Sequence, residues 1–598
     1  MPQILKSIAT GDMDFAAHIE GGHYYVDKTA QIRQVLEDPK KTLLFTRPRR
    51  FGKTMMLSTL KHFLSMDLKG VEGYEARQRG LFAGLSIAAD QEFCQKHLGQ
   101  YPVIFVSFNG VGGDNFTRGL NRLCSKVREL YAEFEHLLSC PKLSNLDKEL
   151  FWRIARVGLD RAEADERVEL VSLSLSHLAT VIYKYSGRDA VVLIDEYDVP
   201  LLKAHLGGYY QNMVDPVRGM LSAVIKPEES AHVARCIVTG CLRASKESIF
   251  TGANNAVVYG ISDLRHARLF GFTEEEVDAV LSYYGLEKQR ETVKLWYDGY
   301  RIAARERVYC PWDVMSYCDA AAFGQKTKPQ LFWSHTSGND IIYEFVDYAD
   351  EHSLDLMQRL LDGETVTLEL DEYMAIGELE AQHSTEQLFT MLYVSGYLTA
   401  TAIQTAAEFS GITDPLDGNP RFYTLKIPNR EILELFSLCI KEFFRRGKPQ
   451  NLLGEARDLV SCLLAGQSGD TQYLINKLLL HNLSVRSLGH ETSYQNFIYG
   501  VLLVAVDGRC QRLRTEEESG DGYLDLSLTD SLADAAVVIE FKKAREGEDL
   551  ESLARSALGQ IKDKRYGVSF RRFKRLYAYG VACRGKNCQV LMEDITAA

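Results

Sequence analysis

The sequence predicts an α/β protein with more than one domain, and three observations support this. The chain has 598 residues, whereas a single hydrophobic core stops growing at roughly 250–300 residues. From Lys41 to about Phe270, near-continuous apolar runs alternate with helical patterns, which is typical of a parallel sheet covered by helices on both faces. After His490, helices and strands alternate again. We therefore divide the chain into three regions, residues 1–270, 271–450 and 451–598.

The first region contains four apolar runs that predict buried strands. They are "TLLFT" at 42–46, "PVIFVSF" at 102–108, "AVVLIDE" at 190–196 and "RCIVTG" at 235–240. Helical patterns lie between them, such as "MLSTLKHFL" and "LVSLSLSHLATVIYKY". This order predicts a parallel sheet.

The second region is mainly helical. Thr273 and Glu276 have the spacing of a capping box at a helix start. Further on, residues 384–403 followed by 421–429 predict a helix, a turn and a hairpin, an order similar to a winged-helix module. The third region begins with helices and then predicts helix, three strands, helix and strand. Its strands are "CQRLRTEE", "GYLDLSLT", "AVVIEFKK" and, after the second helix, "RLYAYGVAC".

Composition narrows the class of protein. Hydrophobic residues make up 46% and charged residues 25%, which is ordinary for a globular protein. No apolar run is long enough to span a membrane, and the start of the chain does not resemble a signal peptide. Twelve cysteines are scattered without CxxC pairs, so we expect free thiols in a reducing cytoplasm. The net charge of −12 argues against a surface covered in nucleic acid, but it permits a local basic groove.

The stretch "TRPRRFGKT" ends like a phosphate-binding P-loop, although Arg47 stands where the pattern has glycine. A strand precedes it and a helix follows it, as phosphate binding at a helix start requires. Lys53 would reach the β- and γ-phosphates of ATP, and the Thr54 hydroxyl would ligate Mg²⁺. The candidate nucleotide-binding residues in this stretch are Arg47, Pro48, Arg49, Arg50, Phe51, Gly52, Lys53 and Thr54.

Two later strand ends would complete this site. Asp195 would hold Mg²⁺, and Glu196 would polarise the attacking water. Thr239 is placed to sense the γ-phosphate, and Arg243 could stabilise the transferring phosphate as an arginine finger. The alternatives are a polar turn after an apolar strand and, for Arg243, a surface arginine paired with a carboxylate.

A second constellation predicts a metal-dependent nuclease. Glu540 and Lys542 lie two apart in a strand and so share a face, and a hairpin would place Asp525 beside them. Asp525, Glu540 and a backbone carbonyl can ligate Mg²⁺, which stabilises charge on a scissile phosphate. Glu491 and Gln560 lie on flanking helices that could face the same point. The alternative is a solvated hairpin with alternating charges.

Several motifs together resemble a known family. "HYYVDKT", "RPRRFGKT", "LIDEYDVPL", "FGFTEEEV", "WYDGYRI" and "YCPWD" are similar to those of AAA-ATPase-like proteins that carry a C-terminal PD-(D/E)XK nuclease-like domain. The resemblance implies a P-loop NTPase sheet domain of AAA type, an α/β nuclease-like domain, and frequent oligomerisation. It also implies that Arg47 is normal in this P-loop, and it places Asp525, Glu540 and Lys542 at catalytic positions, with Glu491 and Gln560 at accessory ones. Cys310 and Tyr523 depart from the family pattern, which has Asn and frequently Arg there.

Three functions follow as hypotheses. The first is an ATP-regulated, Mg²⁺-dependent nuclease that acts on DNA rather than RNA, assembled as a homo-oligomer. The second is a nucleotide-dependent switch or scaffold whose nuclease-like domain binds without cleaving. The third is an ATP-driven translocase or remodeller with an attached nuclease.

Overall fold

The structure is a computed structural model of the chain. It describes residues 5–159, 163–226, 232–242, 256–324, 327–333, 351–361, 363–372, 374, 384–405, 421–436, 452–482, 491–506, 510–520, 522–545 and 547–596. The chain divides into two compact units. The first unit comprises Met1–Gly338 and Thr365–Glu434, and the second comprises Asn339–Glu364 and Leu435–Ala598.

A five-stranded parallel sheet forms the centre of the first unit, with strand order β2-β3-β4-β1-β5. Its strands are β1 (Thr42–Thr46), β2 (Val103–Ser107), β3 (Ala190–Asp195), β4 (Val233–Gly240) and β5 (Ala256–Tyr259). The four predicted strands are confirmed, and the short β5 was not predicted. Because all five strands run in one direction, their carboxyl ends meet at one edge of the sheet, and β4 lies between β1 and β3.

Helices cover this sheet, as the apolar character of its strands requires. They are α1 (Phe15–Glu20), α2 (Gln31–Leu36), α3 (Lys53–Leu64), α4 (Tyr74–Phe82), α5 (Gln91–His97), α6 (Phe116–Glu133), α7 (Asn145–Ala155), α8 (Ala164–Ser186), α9 (Val199–Leu206) and α10 (Tyr210–Ile225). Short 3₁₀ turns occur at Ser86–Ala89 and Glu135–Ser139. Fully buried side chains such as Leu57, Leu60 and Phe63 of α3 fix the helix that follows the P-loop. Each contributes about 1.5–3 kcal/mol by leaving water.

The rest of the first unit follows the helical pattern predicted for the second region. Its elements are α11 (Glu274–Tyr283), a 3₁₀ turn (Glu287–Gln289), α12 (Arg290–Tyr297), β6 (Tyr300–Ile302), β7 (Glu306–Val308), α13 (Pro311–Ala322), β8 (Val366–Glu369), α15 (Thr385–Ser395), β9 (Thr399–Thr405) and β10 (Arg421–Lys426). Its last residues, 430–434, belong to a helical segment that continues to residue 436. Thr273 and Glu276 form the predicted capping box. The predicted order of helix, turn and antiparallel strands is confirmed in α15, β9 and β10, and β8 extends the pair to three strands.

The second unit has a mixed five-stranded sheet of order β11-β12-β13-β14-β15, in which only the β13–β14 pair is parallel. Its elements are α14 (Glu351–Leu361), α16 (Leu452–Leu464), α17 (Ser468–Asn482), α18 (Glu491–Ala505), β11 (Gln511–Ser519), β12 (Gly522–Asp530), β13 (Ala535–Lys543), α19 (Leu550–Asp563), a 3₁₀ turn (Tyr566–Phe570), β14 (Arg575–Arg584) and β15 (Asn587–Asp594). The predicted order of helix, three strands, helix and strand is confirmed, and β15 is an addition. Among the described residues, no helix has the length and apolar character needed to cross a membrane.

Candidate functional site

The P-loop, residues 47–52, joins β1 to α3 at the carboxyl edge of the parallel sheet. Gly52 has φ 83°, a left-handed conformation that favours glycine, and α3 begins at the next residue. The first backbone N–H groups of α3 have no side-chain cap. An N-terminus of this kind attracts an anion through its N–H groups and the helix dipole.

Lys53 spans this loop. Its Nζ donates to the carbonyls of Arg47 at 2.9 Å and Pro48 at 2.8 Å, and it lies 3.4 Å from the Sγ of Cys241. Cys241 follows the end of β4, so the ammonium reaches from the loop to the neighbouring strand end. The side chain is buried with its charge at the start of α3.

Asp195, at the end of β3, connects the start of α3 to the end of β4. Its Oδ2 accepts from the Thr54 hydroxyl at 2.7 Å, and its Oδ1 accepts from the Thr239 hydroxyl at 2.6 Å. The backbone N–H of Glu196 donates to the same Oδ1 at 3.0 Å. Thr239 can do this because β4 lies between β1 and β3. The structure thus brings together Thr54, Asp195 and Thr239, which the sequence places far apart.

Glu196 follows Asp195 with an unusual backbone. Its φ of 52° is in the left-handed region, where a side chain costs roughly 1–2 kcal/mol. Burial raises the pKa of the Glu196 carboxyl, and the nearby Asp195 charge raises it further. A carboxyl with a raised pKa binds a proton more readily than an ordinary carboxyl, which suits a base that takes a proton from water.

Arg47 has a different environment from the one expected of a phosphate ligand. Its guanidinium is buried, and Nη1 donates to the carbonyls of Thr46 at 2.9 Å, Tyr259 at 2.9 Å and Gly260 at 2.6 Å. The side chain therefore fixes the end of β5 against β1. Arg47 contributes its carbonyl to the group around Lys53.

Three other P-loop side chains contact residues of the region 271–450. Phe51 packs edge-on against Tyr300 with ring centroids 5.0 Å apart, and the Arg50 Cζ lies 3.9 Å from the Trp312 ring. Pro48 packs on the turn at Gly396, where an added Cβ would lie 2.7 Å from the proline Cβ. Arg49 differs, because its charge acts on the Glu196 carboxyl and so lies on the Asp195 side.

Arg243 and Asp198 also bear on this site. Arg243 lies outside the described residues. Asp198 was missed from the sequence, although it lies only three residues after Asp195. Its carboxylate is buried and accepts the backbone N–H groups of Cys241 at 2.9 Å and Leu242 at 2.8 Å, which fixes the segment after β4.

The second site lies on the β12–β13 hairpin. Pairing runs from Asp530–Ala535 to Leu526–Ile539, so Asp525 and Glu540 are the next residues on the two strands. The Oδ2 of Asp525 accepts the backbone N–H of Phe541 at 2.7 Å. The predicted hairpin therefore places the Asp525 carboxylate next to Glu540.

Glu540 belongs to an otherwise apolar, buried strand, and its side chain is 3% exposed. A buried carboxylate is costly unless it is paired. Its Oε1 accepts from the Gln560 amide of α19 and lies 3.3 Å from the Lys542 Nζ. Gly580, opposite Glu540 on β14, leaves space for α19 to lie close to the sheet. The structure therefore brings Glu540, Lys542 and Gln560 together.

Helix α18 also faces this site. The Gln495 amide donates to the Asp525 carbonyl at 2.8 Å, and sequence reasoning missed this residue. The signal was available, since Gln495 is a polar residue in the largely apolar helix "ETSYQNFIYGVLL". Glu491 is the first residue of α18, and its side chain lies outside the described residues.

Both groups of residues fit a divalent cation with oxygen ligands. Thr54 and Asp195 offer a hydroxyl and a carboxylate, and Asp525 and Glu540 offer two carboxylates beside the Phe541 peptide. Mg²⁺ prefers one or two carboxylates and takes its other ligands from water or phosphate. Within the described ranges, no group of three or more His, Cys, Asp or Glu side chains could hold a metal ion. Either ion would therefore depend on substrate phosphate or water for its remaining ligands.

Basic residues crowd the end of the chain, as the sequence indicates, and several have partners within the protein. Lys562 pairs with Glu593 and Lys574 with Asp534, at 2.7 Å and 3.2 Å. These pairs are exposed at the surface and contribute about 1 kcal/mol or less each. Each lysine can therefore leave its carboxylate partner and bind a phosphate at a small cost in free energy.

Two family models match the chain. Residues 9–250 match a model described as predicted AAA-ATPase, and residues 489–593 match the PD-(D/E)XK nuclease superfamily. An uncharacterized protein in the vnfD 5' region of Azotobacter chroococcum mcd 1 is 26% identical over 579 residues, which cover 95% of this chain and 94% of that protein. The first match includes Lys53 and Asp195, and the second includes Asp525 and Glu540. At the family level, these matches indicate an ATPase and a nuclease-like hydrolase.

Proposed function

Because the chain carries an AAA-ATPase-like domain and a PD-(D/E)XK nuclease superfamily domain, we propose that it hydrolyses ATP and cleaves nucleic acid, DNA in preference to RNA, under nucleotide control. One observation carries this proposal. Each matched domain holds a pair of oxygen donors suited to Mg²⁺, Thr54 with Asp195 and Asp525 with Glu540. The proposal includes the three-region division of the chain, a cytoplasmic location and assembly as a homo-oligomer.

In the ATPase domain, the start of α3 and Lys53 bind the phosphates of ATP. Thr54 and Asp195 hold Mg²⁺, which when bound neutralises phosphate charge. Glu196 accepts a proton from the attacking water, and its raised pKa supports that role. Thr239 keeps Asp195 in place and would sense the γ-phosphate. Arg243 acts as the arginine finger in this proposal.

In the nuclease domain, Asp525, Glu540 and the Phe541 carbonyl hold Mg²⁺, which when bound stabilises charge on the scissile phosphate. Lys542 orients the water and stabilises the developing negative charge. Gln560 holds the Glu540 carboxylate in its ligand orientation, and Glu491 supports the site from α18. The water oxygen forms a bond to phosphorus while the bond to the leaving oxygen breaks, and that oxygen takes up a proton.

The test of cleavage uses single- and double-stranded DNA and RNA, each with Mg²⁺, with Mn²⁺ and with EDTA. We expect cleavage of DNA with Mg²⁺ and none with EDTA. Lys542→Ala should lower the rate by about 100-fold or more, as expected when a group that stabilises transition-state charge is lost. Lys543→Ala is the matched control, because the adjacent lysine points to the other face of β13.

Cleavage that survives EDTA, or a Lys542→Ala protein as active as the wild type, would overturn the nuclease assignment. Binding of nucleic acid that depends on ATP, without cleavage under any condition, would favour the switch or scaffold instead. ATP hydrolysis that DNA stimulates strongly would favour the translocase. Preferential cleavage of RNA would correct the substrate class.

The nucleotide control is tested by measuring the same cleavage with and without ATP in wild-type protein and in Lys53→Ala. We expect ATP to change the wild-type rate and to leave the Lys53→Ala rate unaltered. Lys41→Ala is the control, because this exposed lysine lies before β1. Equal responses of wild type and Lys53→Ala to ATP would remove the regulatory part of the proposal. Sedimentation with and without ATP measures the oligomeric state.

A further inference from the structure

Two buried acids of the first unit have no part in the proposed chemistry. Asp313 lies in the first turn of α13, within the "YCPWD" motif, and Glu431 lies in the helical segment 430–436. Both residues are completely buried. Two buried negative charges would cost several kcal/mol each unless they were compensated. Their surroundings therefore have to supply a proton, a counter-ion, or both.

The two carboxyl groups face each other. Glu431 Oε1 accepts the backbone N–H of Trp333 at 2.8 Å. Neither Asp313 oxygen, nor Glu431 Oε2, makes a hydrogen bond of ordinary geometry within the described part of the chain. Burial raises the pKa of both acids, and each acid acts on the other. Two adjacent carboxyls of this kind retain a proton between them at neutral pH.

The counter-ion is Arg50 of the P-loop. Its guanidinium lies over the Trp312 ring, next to Asp313 in sequence, and its backbone carbonyl accepts from the Cys310 thiol at 3.7 Å. Burial lowers the pKa of Arg50, whereas Cys310, Asp313 and Glu431 favour its charged form. One shared proton leaves the acid pair with one negative charge, which balances the single positive charge of Arg50.

Arg50 is also the P-loop residue whose backbone most needs support. Its φ of 65° is left-handed, and such a conformation costs a residue with a side chain roughly 1–2 kcal/mol. Gly52, two residues later, begins the phosphate-binding turn with φ 83°. Holding the Arg50 side chain therefore holds the backbone that would wrap the phosphates.

We infer that Asp313 and Glu431 are positioning residues for the P-loop, a carboxyl pair that shares one proton and holds Arg50 against Trp312. This inference rests on the proposed function, because it assigns the P-loop to ATP. Glu431 also lies close, along the chain, to the second unit. The chain passes from the first unit to the second between Glu434 and Leu435, only three residues beyond Glu431. The pair thus connects the nucleotide loop to the segment that leads into the nuclease domain.

The test measures the affinity of the full chain for a fluorescent ATP analogue with Mg²⁺. In Asp313→Asn or Glu431→Gln, an amide donates to the remaining carboxylate and the single negative charge is kept, so we expect affinity within about threefold of wild type. The double variant Asp313→Asn/Glu431→Gln loses that charge and should bind at least about tenfold more weakly. Arg50→Lys keeps the charge but loses the planar stack on Trp312, and it should also weaken binding.

Asp319→Asn/Glu434→Gln is the matched control, since these acids lie in the same two segments but reach the surface. The double variant should also lose most of the effect of ATP on cleavage, which a merely structural role would not require. Wild-type affinity in the double variant, or single losses that simply multiply, would overturn the inference. If the double variant does not fold, wild-type affinity in Arg50→Lys overturns it. If the wild type binds no nucleotide, the proposed function fails together with the inference.

Discussion

Single side chains at the ends of β3 and β4 and at the start of α3 determine the candidate nucleotide site. Asp195 is almost completely buried, and each of its oxygens accepts a hydrogen bond from a threonine hydroxyl. Hydrogen bonds to a charged group contribute about 1.5–3 kcal/mol, and a buried charge that loses one keeps its desolvation cost. The carboxylate is therefore held in one orientation, with Thr54 toward the P-loop and Thr239 on the other side.

Replacing Thr239 by valine tests this arrangement. The two side chains have similar shape, so the change removes the hydroxyl with little change in packing. We expect the ATP hydrolysis rate to fall by about tenfold, because Asp195 loses a partner and can turn away from the metal. Affinity for ATP, which depends on Lys53 and the start of α3, should change much less. Steady-state ATPase rates and nucleotide titrations measure the two quantities.

Thr239→Ser restores the hydroxyl and should recover most of the rate. Thr180→Val is the control, since the Thr180 hydroxyl only donates to the Ser176 carbonyl within α8. An equal loss of ATP affinity and hydrolysis in Thr239→Val would instead indicate a general distortion of the sheet edge.

The sequence predicts this site only in part, and the three P-loop arginines show why. The motif places Arg47, Arg49 and Arg50 next to the phosphates as equivalent positive charges. In the structure, Arg47 is buried against β5, Arg50 stacks on Trp312, and Arg49 acts on Glu196. Their partners come from 200 or more residues away in two of these cases, so no local pattern could separate the three roles.

At the scale of elements, the nuclease-like site depends on how closely α19 lies to the sheet. Gly580 of β14 faces this helix, and a Cβ there would overlap the carbonyl oxygen of Ala554 and crowd the Leu558 backbone. Gln560 lies on the same helix and donates to Glu540. The spacing between α19 and β14 therefore sets the position of a residue that orients the Glu540 carboxylate.

Gly580→Ala should displace α19 and impair the site. Overpacking of this kind costs about 1–3 kcal/mol of stability. We expect cleavage to fall further than stability, because the Gln560 amide moves away from Glu540. Gly559→Ala is the matched control on the same helix: nothing lies within 4 Å of its added Cβ, and an alanine in a helix interior is favoured over glycine by up to about 1 kcal/mol. Nuclease assays and denaturant unfolding of both variants test this expectation. Unchanged cleavage in Gly580→Ala would contradict it.

The elements themselves were largely predictable where they are long and apolar. Strands β1 to β4 and β13 are continuous hydrophobic runs, and the hairpin pairing of Asp525 with Glu540 followed from the spacing of two strands. The short β5, "AVVY", and the polar, partly exposed β15, "NCQVLMED", lack that signal. Gln495 stands out as a polar residue in an apolar helix, but its partner, the Asp525 carbonyl, is a backbone group that carries no sequence signature, so the sequence did not show what it binds.

At the scale of the whole molecule, the ionisable groups whose pKa the fold shifts determine how stability depends on pH. Asp14 and Asp147 have a pKa of about 2 because hydrogen bonds favour their charged forms, so they stabilise the fold above pH ~4 and lose that effect only in acid. Burial lowers the pKa of His177 and His266, so the unfolded chain binds more protons there and stability rises toward pH 7. Asp313 and Glu431 act in the opposite direction.

Burial raises the pKa of both Asp313 and Glu431 above that of an ordinary carboxyl. In the unfolded chain both acids ionise near pH ~4, so above that pH the folded state binds more protons than the unfolded state. The contribution of the pair to stability therefore falls as pH rises until the folded pair has ionised. Asp313→Asn/Glu431→Gln has no carboxyl at either position, so this pH-dependent contribution is absent from the variant. We therefore expect the free energy of unfolding of this variant, minus that of the wild type, to increase steadily from pH 5 to pH 9, whatever its sign at pH 5.

Because the histidines and the other acids are the same in both proteins, they cancel in this difference. Denaturant unfolding at several pH values measures it, with Asp319→Asn/Glu434→Gln as the matched surface control. A flat difference for the buried pair would show that neither acid keeps its proton in the folded protein.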